Sequence, residues 1–158
     1  MRIKGLTDED LVNYKLPSMF IATSFCSFKC DRESGESCCQ NSSLAMAKPK
    51  FISDDELIQR YIDNPISQAI VFGGLEPFDQ YQELFNFIFL FRLEYERPDP
   101  IVIYTGYNRD EIEGEIAMLS QFQNVIVKFG RFVPNRDSRF DDVLGIKLAS
   151  DNQYAEVL

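Results

Sequence analysis

Five short apolar runs rich in β-branched residues recur along the chain: Ser18–Ser24 (SMFIATS), Gln68–Phe72 (QAIVF), Ile101–Thr105 (IVIYT), Val125–Phe129 (VIVKF) and Val143–Ala149 (VLGIKLA). Their length and lack of strict alternation predict strands buried on both faces, the pattern of parallel strands. Between them the apolar period lengthens to that of a helix. Ser53 followed by Glu56 forms a capping-box pattern ahead of Leu57, Ile58, Tyr61 and Ile62. A second helix is predicted from Asp79 to about Glu96, before Pro98, and it contains the longest apolar run, Leu84–Phe91 (LFNFIFLF). Asn108 with Glu111 opens a third, whose stripe is Ile112, Ile116 and Leu119 and which Gly114 weakens. The alternation βαβαβαβ predicts an α/β fold: a largely parallel sheet with right-handed crossover helices, as an open sheet or a partial barrel.

At 158 residues the chain is long enough for one sizeable core, so a single domain over 1–158 is expected. Sixteen Lys plus Arg against 25 Asp plus Glu give a formal charge of -9, which argues against nucleic acid and anionic membranes as partners. The run Leu84–Phe91 is interrupted by Asn86 and is far short of the roughly 20 residues that span a bilayer. The start MRIKGLTDEDLV has no apolar signal core, so a cytoplasmic location is expected. In that compartment thiols stay reduced, and clustered cysteines more often bind metal or do redox chemistry than form disulfides.

All four cysteines, Cys26, Cys30, Cys38 and Cys39, fall within the stretch SFCSFKCDRESGESCCQNS, and the chain has no histidine. In α/β sheets ligands gather beyond the carboxyl ends of the strands. The first predicted strand leads directly to Cys26, the second to GGLEP, the third to Gly106-Tyr107-Asn108, the fourth to Gly130-Arg131-Phe132, and the fifth to Ser150-Asp151-Asn152-Gln153. Thiols, glycines and small polar groups thus converge on one rim. Structural zinc sites usually draw two ligands from each of two short-spaced pairs, and adjacent cysteines chelate one ion poorly. Spacing alone leaves three readings: an iron-sulfur cluster, a zinc site, or ordinary thiols. The stretch Val71–Asp79 (VFGGLEPFD) sharpens the choice. Two glycines let backbone approach a ligand, Glu76 offers a carboxylate, and Pro77 fixes the entry to a helix.

A cysteine loop after the first strand and a GGEP-like stretch after the second resemble the radical S-adenosylmethionine superfamily. The segments IVIYTGYNRDEI, GRF and LASDNQ are similar to corresponding stretches in the small activating proteins of anaerobic ribonucleoside-triphosphate reductase, and the resemblance spans a core of about residues 18–153. It departs from that family in three places: the insertion DRESGES (31–37) followed by adjacent cysteines in place of CxxxCxxC, Leu75 within the GGEP motif, and Ala149 for a glycine.

The resemblance implies a partial (βα) barrel of the radical S-adenosylmethionine type. It implies a 4Fe-4S cluster held by Cys26, Cys30 and Cys39, with Cys38 as the alternative third ligand, and S-adenosylmethionine at the open iron. Gly73, Gly74 and Glu76 would receive the methionine ammonium, Thr105 and Gly106 would line the ribose or adenine, and Asn152 and Gln153 would close the site. Phe28 would replace the aromatic residue that usually contacts adenine. Lys128 would pair with the methionine carboxylate, although a solvated strand-end lysine is an equal reading. The implied activity is that of an oxidoreductase: reductive cleavage of S-adenosylmethionine and abstraction of hydrogen from a glycine of an anaerobic ribonucleotide reductase or another glycyl radical enzyme. The electron donor would be flavodoxin or ferredoxin, docked on basic residues drawn from Lys48, Lys50, Arg131, Arg136 and Arg139. A non-catalytic iron-sulfur electron-transfer protein and a zinc-stabilised interaction domain are the alternatives.

Overall fold

The computed structural model describes Met1–Leu158. In chain order it contains β1 (Arg2–Asp10), β2 (Ser18–Thr23), α1 (Lys29–Ser34), α2 (Ser42–Met46), β3 (Lys50–Phe51), α3 (Asp54–Asp63), β4 (Ala69–Gly73), α4 (Tyr81–Phe89), β5 (Ile101–Tyr104), α5 (Glu113–Leu119), β6 (Val125–Phe129), β7 (Arg139–Asp141), β8 (Ile146–Leu148) and β9 (Tyr154–Val157). Seven strands form one mixed sheet in the order β3-β1-β2-β4-β5-β6-β9, while β7 and β8 form a separate hairpin. The four central strands run parallel, as their apolar runs predict. At the margins β1, β3 and β9 pair antiparallel.

Alternation along the central strands sorts the core into two layers. Ile70, Phe72, Ile101, Ile103, Val125, Val127 and Phe129 point to the side where α3, α4 and α5 pack, and they join Leu57, Phe87, Phe91 and Ile116 in the larger cluster. The intervening Ala69, Val71, Val102 and Ile126 point to the opposite side and meet Tyr14, Leu144 and Leu148. All three crossover helices therefore lie on one face, which is what successive right-handed connections stepping in one direction along a sheet require.

The helix signals act at the expected residues. Ser53 Oγ accepts from Glu56 N–H at 3.2 Å and starts α3, and Leu57, Ile58 and Tyr61 are buried. The helix expected over 79–96 is divided into a 3-10 turn at Pro77–Gln80, α4, and a π turn at Leu90–Glu94. Asn108 and Glu111 do form a capping box, but around a 3-10 turn at Arg109–Glu111, after which α5 begins. No helix is long and apolar enough to cross a membrane.

The sheet corrects two expectations. It is mixed rather than largely parallel, and the run Val143–Ala149 is not a fifth parallel strand. Gly145 takes φ +70° and breaks that run, and only Ile146–Leu148 is extended, pairing antiparallel with β7 as a flap over the smaller core layer. The unforeseen strands β1, β3 and β9 lie toward the sheet margins, where only Ile3 and Ala155 among their residues are buried.

Candidate metal centre

The cysteines occupy an arm, residues 26–46, that leaves the carboxyl end of β2 and is tied by polar contacts to the segment following β4. Phe25 O accepts from Glu76 N–H at 2.8 Å, Ser24 N–H donates to Gln80 Oε1 at 2.7 Å, and Ser27 N–H donates to Asp79 Oδ2. Asp79 is itself held by Tyr107 Oη, which donates to Oδ1 at 2.7 Å. Phe28, just before α1, stands in the left-handed region at φ 53°, unusual for a bulky side chain, and its N–H donates to Cys26 Sγ at 3.2 Å. Cys30 lies in α1, which Gly35 ends at φ 74°. Asp31 Oδ1 then accepts the N–H groups of both Cys38 and Cys39, each at 2.9 Å, so the chain after Gly35 folds back on the first turn of α1.

Neither α1 nor α2 buries a single residue. Charge pairs take the place of a core: Lys29 with Glu111, Arg131 with Glu33 at 3.1 Å, and Arg131 with Glu111 at 2.6 Å. These partners hold Glu111 down to about 2, chiefly through its hydrogen bond from Arg131. An apolar contact joins them, where Leu44 of α2 covers Gly74 and reaches toward Gly5 of β1. Gly74 sits at φ +78°, and a Cβ there would come within 2.8 Å of both Ala22 Cβ and Leu44 Cδ2.

Between arm and sheet lies a cavity of about 490 Å³, on the face away from the crossover helices, with Phe20, Tyr104 and Ile146 in its wall. All four cysteines line it, as do Gly73, Gly74, Glu76, Thr105, Gly106, Lys128 and Gln153. Phe28 and Asn152 stand outside the wall; the Asn152 amide instead donates to Arg131 O at 2.8 Å.

Glu76 is the buried anion of the cavity. Thr105 Oγ1 donates to its Oε1 at 2.7 Å and Phe78 N–H at 3.1 Å, while Gly106 N–H donates to Oε2 at 2.8 Å. Burial outweighs these donors and raises the carboxyl to about 7. A carboxylate has about four lone-pair sites, so three bonds leave room for one more donor. Lys128 is buried rather than a solvated strand-end lysine. Its ammonium donates to Gly130 O at 2.8 Å, and burial lowers it to about 8 against the pull of Glu76.

The donor set suits a thiolate-bound cluster. Burial raises the Cys26 thiol to about 12 and the Cys30 thiol to about 11, with neighbouring Cys39 and Cys38 adding to the effect at Cys30. The ligand atoms of Cys30, Asp31 and Cys38 lie within 4.8 Å of one another, while Cys26 and Cys39 line the same cavity outside that group; a cationic iron-sulfur core would stabilise the thiolates of Cys26 and Cys30 as it displaces their protons. The N–H bond from Phe28 to Cys26 Sγ is of the kind that tunes a sulfur ligand.

Of the proposed docking cations, Arg131 is buried within its ion pairs and Arg136 pairs with Asp151 at 3.1 Å. Asp31, Asp79 and Glu111 carry the arm, and none was identified from the sequence as holding it. The sequence marks Glu111 by its capping pattern with Asn108 and Asp79 by the helix expected to follow it, and each signal points to a helix start rather than to the arm.

A cysteine-lined cavity at the carboxyl ends of parallel strands, with a buried carboxylate and ammonium beside it, defines an iron-sulfur protein of α/β architecture. The chain belongs to the family described as "4Fe-4S single cluster domain", whose sequence model matches residues 18–153. No curated protein and no solved structure matches the chain.

Proposed function

We propose that this protein is a radical S-adenosylmethionine activase, in which a single 4Fe-4S cluster and S-adenosylmethionine share the cavity. The observation that carries this reading is the convergence of the cysteine arm with Gly73-Gly74-Glu76 and Thr105-Gly106, contributed by successive strand ends, on that cavity. A reduced cluster held there would supply the one electron needed for cleavage of the sulfonium, the chemistry by which an activase would take hydrogen from a glycine of a partner such as an anaerobic ribonucleotide reductase.

This chain's residues bind and orient. Cys26, Cys30 and one of the adjacent cysteines would hold the cluster. Glu76, with one acceptor site unused, would take an N–H of the methionine ammonium, a charge-assisted bond strengthened by burial. Lys128 keeps donor capacity beyond Gly130 O for the methionine carboxylate. Gly73 and Gly74 add no side chain of their own to that wall, where Phe20 packs beside Gly73 and Leu44 beside Gly74. The fold supports a partial barrel to the extent that four parallel strands place their crossover helices on one side. Flavodoxin or ferredoxin fits as donor, with Lys48, Lys50 and Arg139 as the docking cations that no ion pair engages.

The test is anaerobic reconstitution with iron and sulfide, reduction, and measurement of 5'-deoxyadenosine released from S-adenosylmethionine. Release from the parent protein and its loss in Cys26→Ala are expected. A brown, reducible protein that releases none would replace this reading with electron transfer, and a colourless protein carrying one zinc would replace the cluster.

A further inference from the structure

Three thiolates hold a 4Fe-4S cluster with one iron left for another ligand, yet four cysteines line this cavity. The surplus thiol is not set apart from the others. Cys38 and Cys39 are adjacent, and the single acceptor Asp31 Oδ1 holds both of their N–H groups, so the pair is presented as a unit opposite Cys30. The ligand atoms of Cys30, Asp31 and Cys38 lie within 4.8 Å of one another. Asp31 Oδ1 accepts both of those N–H groups and so places the pair, and toward the iron of a cluster the soft thiols are the better donors than this carboxylate.

We propose that Cys38 and Cys39 divide two duties: one is the third permanent ligand, and the other closes the remaining iron as a displaceable fourth ligand until a cosubstrate takes its place. That the cosubstrate is S-adenosylmethionine rests on the function proposed above; the four-thiolate state does not. Adjacency keeps the fourth thiol at high effective concentration near the iron once its neighbour is bound. Release is easy for the same reason that the arm lacks a core. The loop from Gly35 to Cys39 is bounded by a residue with open space around it, and no side chain of α1 or α2 is buried. In the exchange the incoming amine loses its proton and gives the freed electron pair to iron, while the thiolate leaves with its own pair and takes up one proton, so no net proton is released. No electron changes hands.

The consequence is a cluster protected at rest. An iron without a protein thiolate is the one lost when such clusters are oxidised, so a fourth thiolate should slow conversion to a three-iron form.

The experiment compares the full-length parent protein, Cys38→Ala and Cys39→Ala, each reconstituted anaerobically without S-adenosylmethionine. Iron and sulfide are counted, ferricyanide is added, and the three-iron signal is followed by electron paramagnetic resonance. Both positions are half-buried and outside the core, so both variants are expected to fold. The expected result is a parent protein that resists conversion and one variant that keeps a full complement of iron but converts several-fold faster. A parent protein that converts as fast as that variant would overturn the proposal, as would loss of the cluster in both variants. A second readout separates this proposal from the functional one. In the loaded parent protein, adding S-adenosylmethionine should expose one of the two thiols to iodoacetamide, located by peptide mass. Unchanged alkylation beside a conversion-resistant cluster would count against S-adenosylmethionine as the displacing ligand and leave the fourth ligand in place.

Discussion

Gly74→Ala is the most informative single substitution outside the cysteines, because the position joins the sheet to the arm. At φ +78° an L-residue costs about 1 to 2 kcal/mol in backbone strain alone. The added Cβ would lie 2.8 Å from Ala22 Cβ, 3.1 Å from Ala22 Cα and 2.8 Å from Leu44 Cδ2. Ala22 belongs to β2 and cannot yield, so overpacking adds roughly 1 to 3 kcal/mol, and the total loss is roughly 2 to 5 kcal/mol. The assay is urea unfolding of the metal-free protein, followed by circular dichroism under anaerobic reducing conditions. Leu44 is the movable neighbour. Leu44→Ala in the Gly74→Ala background should recover about 1 kcal/mol, a coupling typical of residues in contact, and leave the strain and the Ala22 contact in place. Gly114→Ala is the control: that glycine has nothing within 4 Å and sits in α5, so alanine should stabilise by about 0.5 to 1 kcal/mol. A Gly74→Ala protein within about 0.5 kcal/mol of the parent, as surface substitutions are, would refute the reasoning.

Other outcomes follow from the polar framework. Glu111, held at about 2 in the fold against an unfolded value of about 4.3, binds fewer protons folded than unfolded. Its stabilising contribution is therefore complete above that unfolded value and lost as pH falls through about 2, and Glu111→Gln should flatten the acid limb of the stability curve in that window. Arg92 is buried and donates to the carbonyls of Gln123, Arg97 and Asp99 at 3.0, 2.6 and 2.9 Å; Arg92→Met should cost about 2 kcal/mol in urea unfolding, since three partly buried carbonyls lose a charged donor. Ser53→Ala removes the cap of α3 and should cost about 1 kcal/mol, whereas Ser53→Asp should restore it.

What the sequence made legible were the features that residue type alone determines. VIVKF became β6 with the predicted bounds, and Ser53 capped α3, because β-branched runs and side-chain caps act locally. VLGIKLA misled because an apolar run does not say which neighbour it will pair with, and a glycine in the left-handed region cut it short. In β1 only Ile3 and Leu6 stand among charged and small residues, too sparse a pattern to mark a strand whose neighbour β3 is two residues long. At the site, cysteines and glycines announce themselves by type and spacing. The ties of Asp79 to Ser27, of Arg131 to Glu33 and Glu111, and of Asp31 to the adjacent cysteines are set by folded geometry and leave no local trace. Lys128 was legible in position but not in burial, since a strand-end lysine reads the same whether or not a hairpin flap and an arm cover it.

An arm without a buried side chain also bears on how long a molecule of this protein survives. Its backbone is guarded by a few ion pairs, with Arg131 their one buried member, and by short helical turns, so it opens at lower free-energy cost than the sheet. Metal held by its cysteines would cross-link that same segment and raise the cost of opening it. A protease sampling the population would then cut within residues 26–46 of copies that never received iron and pass over those that did. The segment that carries the cofactor would double as the mark by which unfinished molecules are cleared.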